Sequence, residues 1–145
     1  MYAAMLHSHS IIRYFILILL VIVVVKSVLG WLSNKPYTNF DNKLSLYLVI
    51  FTHLQLVAGL VLYFISPSVQ FNDQTMSNDQ IRMWTVEHVT MMLVAIVLIT
   101  VARSTSKRMS TDVGRHRRMA VFNIIALVII VGAIVMSGRG LIGQY

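Results

Sequence analysis

The sequence predicts an all-α membrane protein: a single domain, residues 1–145, built as an up-down bundle of four transmembrane helices. The chain is 57% hydrophobic and only 12% charged, about half the charged fraction of a typical soluble domain. Its mean hydropathy is +0.76. The apolar residues fall in four blocks, and each block is close to the roughly 20 residues that a helix needs to cross a bilayer.

The first predicted helix covers residues 9–32. Its apolar stretch, Ile11 to Val25, is rich in β-branched residues, but in lipid only a helix satisfies every backbone polar group within one segment. Lys26 can extend its ammonium group to the nearer membrane surface, and Pro36 in the following loop prevents the helix from continuing. The stretch is too long for a signal peptide, and neither a basic run nor a cleavage site flanks it.

The other three helices are predicted at residues 43–65, 80–102 and 118–137. The second ends before Pro67, because the residue preceding a proline is disfavoured in helical geometry. A polar connection leads to the third helix, whose sequence RMWTVEHVTMMLVAIVLIT passes from polar to apolar. A basic loop, residues 103–118, precedes the fourth helix, and a short glycine-rich tail follows it.

The basic residues are distributed unevenly between the two ends of the predicted bundle. Four antiparallel helices place both termini on one side of the membrane, and three basic residues lie on that side: Arg13, Arg82 and Arg139. Nine lie on the other side: Lys26, Lys35, Lys43, Arg103, Lys107, Arg108, Arg115, Arg117 and Arg118. Because cytoplasmic loops are enriched in Lys and Arg, we expect both termini on the outer, periplasmic face. The net charge of +7 is therefore a topology signal, and nucleic-acid binding is not expected.

The residue types exclude several kinds of site. Without cysteine the chain forms no disulfide, iron–sulfur cluster, thiolate zinc site or c-type haem attachment. It has no pair of carboxylates placed for acid–base catalysis, no nucleophile elbow and no phosphate-binding glycine loop, so a hydrolase or transferase is not favoured. Haem-dependent or single-carboxylate chemistry stays open.

The candidate ligands in this chain are histidines. Of the five, His7 and His116 are expected in solvent or at lipid headgroups, whereas His9, His53 and His88 fall in the first three helices. An ionisable side chain in a membrane segment is costly and therefore marks a candidate functional site. Neutral imidazole is a good ligand for iron, and we predict that two of these three histidines are the axial ligands of a b-type haem.

Helical periodicity places small and polarizable residues near two of the histidines. Met91, Met92 and Ala95 share a face with His88, which suits a flat macrocycle and suits ordinary helix packing equally well. On the second helix one face carries a stripe of polar and small residues: Thr52, Gln55, Gly59 and Tyr63. Gly59 would allow a neighbouring helix or a ring to come close.

The second axial ligand stays open between His9 and His53. His53 projects about a third of a turn away from the polar stripe and can equally form a hydrogen bond between helices. His9 is the better aligned with His88, because both side chains lean towards the same membrane surface, whereas His53 is expected to be better buried.

Arg13 lies one helical turn from His9, near the same membrane surface as Glu87. It can pair with Glu87 or with an anionic group such as a haem propionate, or it can anchor the first helix at the headgroups. Arg82 is expected to neutralise propionates as well, and Glu87 or a backbone carbonyl to orient an imidazole ring.

Three patterns in the first three helices carry a resemblance: His9-Ser10-x-x-Arg13-Tyr14, His53-x-Gln55-x-x-x-Gly59-x-x-Leu62-Tyr63 and Arg82-x-Trp84-x-x-Glu87-His88-x-x-Met91-Met92. They resemble a family of small four-helix membrane proteins labelled cytochrome b in Bacteroidetes-type bacteria, and more faintly one four-helix half of haem A synthase. The resemblance implies an inner-membrane haem protein tied to respiration. For an electron-transfer cytochrome of this kind we expect a quinone or a larger respiratory complex as the partner. The fourth helix lacks an intramembrane histidine, which departs from the ligand layout of haem A synthase.

Two other hypotheses use the residues differently. The chain can be a cofactor-free accessory subunit that packs against a larger membrane complex through small residues: Ala58, Gly59, Gly132, Ala133 and Ser137. Alternatively, thioether and imidazole groups near the periplasmic surface bind Cu(I), with these candidates: Met1, Met5, His7, His9, Met76 and Met83.

Overall fold

The computed structural model describes residues 2–136, and that part of the chain contains four long helices and no β-strand. The helices are α1, Tyr2–Leu32; α2, Asn39–Ile65; α3, Asp79–Ser106; and α4, Asp112–Met136. Each is long and apolar enough to cross a membrane. The prediction of an all-helical chain with four helices of membrane-spanning length is therefore confirmed.

All four helices extend beyond their predicted bounds. α1 begins at residue 2 instead of 9, α2 at 39 instead of 43, and α4 at 112 instead of 118, while α3 continues to 106 instead of 102. Hydropathy marks only the segment that belongs in lipid, whereas polar turns continue a helix into water. The predicted end of the fourth helix, Ser137, lies outside the described residues.

A capping box fixes the start of α2. The Thr38 hydroxyl accepts a hydrogen bond from the Asp41 N–H, and the Thr38 N–H donates to the Asp41 carboxylate over 2.9 Å. Asp41 also pairs with Lys26 of α1 at 3.4 Å, which ties this cap to the neighbouring helix. At the other end of α2, Ser66 leaves helical geometry before Pro67, as predicted.

The core lies between the four helices. α1 packs against α2 and α4, and α3 packs against α4 and, less closely, against α2. All four helices contribute buried apolar side chains: Ile16, Leu20, Val23, Leu48, Ala95, Ile99, Met119, Ala126 and Ile130. The outward-facing side chains are apolar as well, and Ile18, Val57 and Val128 are each more than 60% exposed. An outer surface of this composition is compatible with contact with membrane lipid.

His116 is buried, so the prediction that it is solvated or lies at lipid headgroups is wrong. Because α4 begins at Asp112, residue 116 falls inside the helix and faces α1. Its ring fills the space beside Gly30, where an added Cβ would lie 2.5 Å from two ring atoms. Its Nε2 lies 3.2 Å from the Pro36 carbonyl oxygen, and its ring meets the edge of Tyr37. His116 thus packs α4 against α1 and the α1–α2 loop.

Candidate functional site

A cavity of about 170 Å³ lies among the helices, in the half of the molecule that contains the start of α1. Packed interiors contain few voids larger than a water molecule, so a cavity of this size is a candidate binding site. Its polar lining comes from α1, α2 and α3: His9, Arg13, Thr52, Gln55, Tyr63, Trp84 and His88. Deeper in the bundle the lining is apolar: Ile16, Met92, Ala95, Ile99, Ile130 and Ala133.

His9 reaches the cavity from α1 and rests against α2. A Cβ added at Gly59 would lie 3.3 Å from His9 Cε1, closer than side chains normally approach. Gln55, one turn away on α2, donates from Nε2 to the His9 carbonyl oxygen over 2.7 Å. Gly59, which has no side chain, and the side-chain amide of Gln55 together set the position of His9 against α2.

His88 reaches the same cavity from α3, directly after a π-helical turn, Met83–Glu87. The His88 N–H bonds to the Met83 carbonyl five residues back, which is the π-helical pattern. The rings of Trp84 and His88 lie with their centroids 4.9 Å apart and their planes at 56°. Such turns are frequent at functional sites, and this one places both rings in the cavity lining.

Residues of α2 and of the following loop hold the π-helical turn in place. Tyr63 donates its hydroxyl to the Thr85 carbonyl oxygen over 2.7 Å, and the Gln70 N–H donates to Thr85 Oγ1 over 3.0 Å. Thr85 itself is buried. The local sequence gives no signal for this irregularity, since the turn contains neither glycine nor proline. The hydroxyl that bonds to the Thr85 carbonyl oxygen belongs to Tyr63, 22 residues earlier, and local sequence patterns do not extend that far.

The predicted stripe on α2 is confirmed, because all four of its members line the cavity: Thr52, Gln55, Gly59 and Tyr63. The predicted face below His88 is confirmed in part. Met92 and Ala95 line the cavity, whereas Met91 does not.

The structure brings His9 and His88 together and leaves His53 apart. His53 is exposed on the outer face of α2, and its Nδ1 lies 2.7 Å from the carbonyl oxygen of Val49 in its own helix. The expectation that His53 is the better buried of the two is therefore wrong, because α2 turns its polar stripe, and not His53, towards the other helices.

Arg13 lines the cavity but does not pair with Glu87, one of the partners considered for it. Its Nη2 donates to the Tyr14 hydroxyl over 3.1 Å, and the guanidinium lies 4.9 Å above the Tyr14 ring centroid. Glu87 instead binds Arg82 on its own helix. Arg82 also contacts Asp79 and the Met76 carbonyl oxygen. These three contacts, all with residues 76–87, hold the Arg82 side chain outside the cavity lining.

Arg13 Nε, a donor, and Gln55 Oε1, an acceptor, are buried in the cavity lining and have no hydrogen-bond partner among the described residues. An unmet buried polar group costs about 1–3 kcal/mol, so the site favours a ligand that carries polar groups at this end. The apolar lining deeper in the bundle favours a ligand with a large apolar body.

Within residues 2–136, no three His, Asp or Glu side chains converge in a group that could hold a metal ion. Of the copper candidates, Met1 lies outside the described residues, Met76 is exposed and Met83 is buried. The chain matches no protein-family model, no curated protein and no solved structure.

Proposed function

We propose that this protein is an integral membrane b-type haem protein that transfers electrons in a respiratory chain. His9 and His88 would ligate the iron of one haem b in the cavity. The observation that carries the proposal is that these two imidazoles, from helices far apart in sequence, line one cavity together with the half-buried Arg13. His53 is left out of the ligand set because it is exposed on the outer face of α2.

The residues in the cavity fit a haem in three respects. Two neutral imidazoles are a common axial pair for iron in helical bundles. The Arg13 guanidinium, with its Nε unmet, suits a propionate carboxylate. The lining on α1 runs from Tyr2 to Leu17, about 22 Å of helix, and its apolar members would contact the body of a haem.

The side chains of this site bind and orient, and they exclude water. Gln55 and Gly59 set the position of His9, while Trp84 and the π-helical turn set that of His88. The apolar lining at Ile99 and Ile130 keeps water from the buried end. Haem b, when bound, supplies reversible one-electron chemistry at its iron. We assign no catalytic residue, because electron transfer requires none.

The proposal includes a topology. The helices form an up-down bundle in a bacterial inner membrane, both termini face the periplasm, and the electron partner is a quinone or a respiratory complex. The nine basic residues at the opposite end support this orientation through the positive-inside rule. The natural chain contains no cysteine, so single-cysteine variants at Ser8 and Ser110 test it cleanly. In intact cells opened only at the outer membrane, a membrane-impermeant maleimide should label S8C and leave S110C unlabelled.

The visible spectrum of the purified protein tests the haem assignment. Protein from haem-replete cells should give a reduced-minus-oxidised b-type band and about one haem per chain as the pyridine haemochrome. Elemental analysis of the same sample should find iron and not copper. A folded, helical protein without a b-type band would contradict the proposal.

A second candidate function, a cofactor-free subunit of a larger membrane complex, is favoured by one feature of α4. A Cβ at Gly132 would meet no atom within 4 Å, and Val128 and Val135 on the same face are each more than 60% exposed. An open glycine on an apolar face suits close approach by another helix. Ala133, by contrast, is buried in the chain's own interior, and Ser137 lies outside the described residues. Co-purification of other subunits with a haem-free chain would favour this candidate.

A further inference from the structure

A second cavity, an open surface pocket of about 450 Å³, lies beside the end of α3 opposite to His88. Val49 of α2 forms one wall. The remaining lining comes from the end of α3 and the turn after it: Thr100, Arg103, Ser104, Lys107 and Arg108. Three of these six residues are basic and none is acidic, so the cavity is strongly positive.

Arg103 is preorganised in this cavity. Its Nη1 donates to the Asn42 carbonyl oxygen over 2.9 Å and also to the Ser45 hydroxyl, which fixes the guanidinium against the start of α2. Its Nε and Nη2 make no hydrogen bond with the residues that the structure describes. They remain as donors for a ligand beside the first turn of α2.

The other two basic groups are not neutralised by the protein. Ion pairs join Lys26 to Asp41 and Arg115 to Asp112, so the acids at this end of the molecule bind other basic residues. Lys107 and Arg108 are exposed and form no ion pair within residues 2–136. Their charges are available to an anion in the cavity.

The spacing along α3 would put the cavity at the depth of lipid headgroups if Trp84 marks the opposite membrane surface. Arg103 follows Trp84 by 19 residues, which is about 28 Å along a helix. This length is close to the roughly 30 Å thickness of a bilayer's hydrocarbon core, so the two residues would lie near opposite membrane surfaces. From this level towards the membrane interior, the outer surfaces of α2 and α3 are apolar, with Leu46, Ile50 and Val97 exposed. A positive pocket thus borders an apolar surface that would accept acyl chains.

We propose that this cavity binds the phosphate headgroup of an anionic phospholipid, whose acyl chains lie along the apolar surface of α2 and α3. Arg103, Lys107 and Arg108 contact the phosphate, and the Ser104 hydroxyl is placed to donate to it. Basic pockets between transmembrane helices recognise anionic headgroups in this way. The site is independent of the haem cavity, and its test does not depend on bound haem.

Native mass spectrometry of the full-length protein in a neutral detergent tests the site. The protein is titrated with a phosphatidylglycerol and with a phosphatidylcholine of the same acyl chains. We expect one phosphatidylglycerol to bind at least tenfold more tightly than phosphatidylcholine. Millimolar inorganic phosphate should not displace it, because the acyl chains contribute to binding. Displacement by inorganic phosphate would identify a phosphate-ion site, and equal binding of the two lipids would overturn the proposal.

Two variants with a matched control locate the site. K107Q/R108Q should weaken phosphatidylglycerol binding about 25-fold, since each basic residue near an anionic lipid contributes about fivefold. R117Q/R118Q removes the same charge from exposed residues of α4 that line no described cavity, and it should change binding less than threefold. V49W narrows the cavity without changing the charge and should also weaken the preference for phosphatidylglycerol. Equal weakening by both double variants, or full binding by V49W, would overturn the proposal.

Discussion

The imidazole of His9 lies over Gly59: a Cβ at residue 59 would lie 3.3 Å from His9 Cε1. Helical periodicity predicts the face of α1 that carries His9 and the polar stripe of α2 separately. The packing of His9 on Gly59 shows that these two faces meet. It also fixes which of two histidines reaches the cavity. His9 occupies the space that a side chain at residue 59 would take, while His53 points away from it.

Gly59→Leu should displace the His9 ring and remove most of the bound haem. The larger side chain cannot share the space beside Cε1, and overpacking of this kind typically costs about 1–3 kcal/mol of stability. The matched control is Gly132→Leu, where an added Cβ would meet nothing within 4 Å. Both substitutions raise helix propensity equally, so haem per chain compares the two sites directly. Retention of haem by G59L at the level of G132L would contradict the role of this contact.

Tyr63→Phe should loosen the π-helical turn that carries Trp84 and His88. The substitution removes the hydrogen bond to the Thr85 carbonyl oxygen, worth about 1 kcal/mol, and leaves that buried carbonyl without its partner. We expect a lower thermal midpoint and a shifted or broadened haem band, because the ring of His88 is no longer held. Tyr47→Phe is the control, since Tyr47 is half exposed and makes no hydrogen bond with the described residues. An unchanged spectrum and midpoint in Y63F would show that the turn holds without this bond.

Arg13→Gln should weaken haem retention at least tenfold, whereas Arg82→Gln should leave it nearly unchanged. The Arg13 guanidinium lines the cavity, and a hydrogen bond to a charged group contributes about 1.5–3 kcal/mol. Arg82 is bound instead by Glu87, Asp79 and the Met76 carbonyl oxygen. Competition with apo-myoglobin for haem measures both variants. Equal losses in the two would show that overall charge, and not the position of Arg13, determines retention.

Gly30→Ala should destabilise the fold by about 1–3 kcal/mol without touching the haem cavity, because the new methyl group meets the buried ring of His116. Thermal unfolding in detergent measures the loss. In a double-mutant cycle, His116→Ala should restore much of the stability of G30A, since it removes the ring that the methyl group strikes. Strictly additive effects would contradict the packing of Gly30 against His116.

Hydropathy and helical periodicity predict the four helices and the α2 stripe, because both depend on residues within one segment. They fail where a contact joins distant segments. The burial of His116 depends on Gly30, 86 residues earlier, and the π-helical turn depends on Tyr63 of another helix. The pairing of Glu87 with Arg82, in preference to Arg13, depends on how the first turns of α3 are wound. The first two contacts require the packing of whole helices, and the third depends on a π-helical winding of α3 that regular helical spacing does not predict.

The haem content of three histidine variants tests the central claim most directly. Wild-type protein and His53→Ala should each bind about one b-type haem per chain, with the low-spin electron paramagnetic resonance signal of bis-histidine iron. His9→Ala and His88→Ala should lose that signal and most of the haem, while circular dichroism shows that the helices persist. Loss of haem from His53→Ala together with its retention in His9→Ala would contradict the proposed ligand pair, and a wild-type protein without haem would contradict the proposed function.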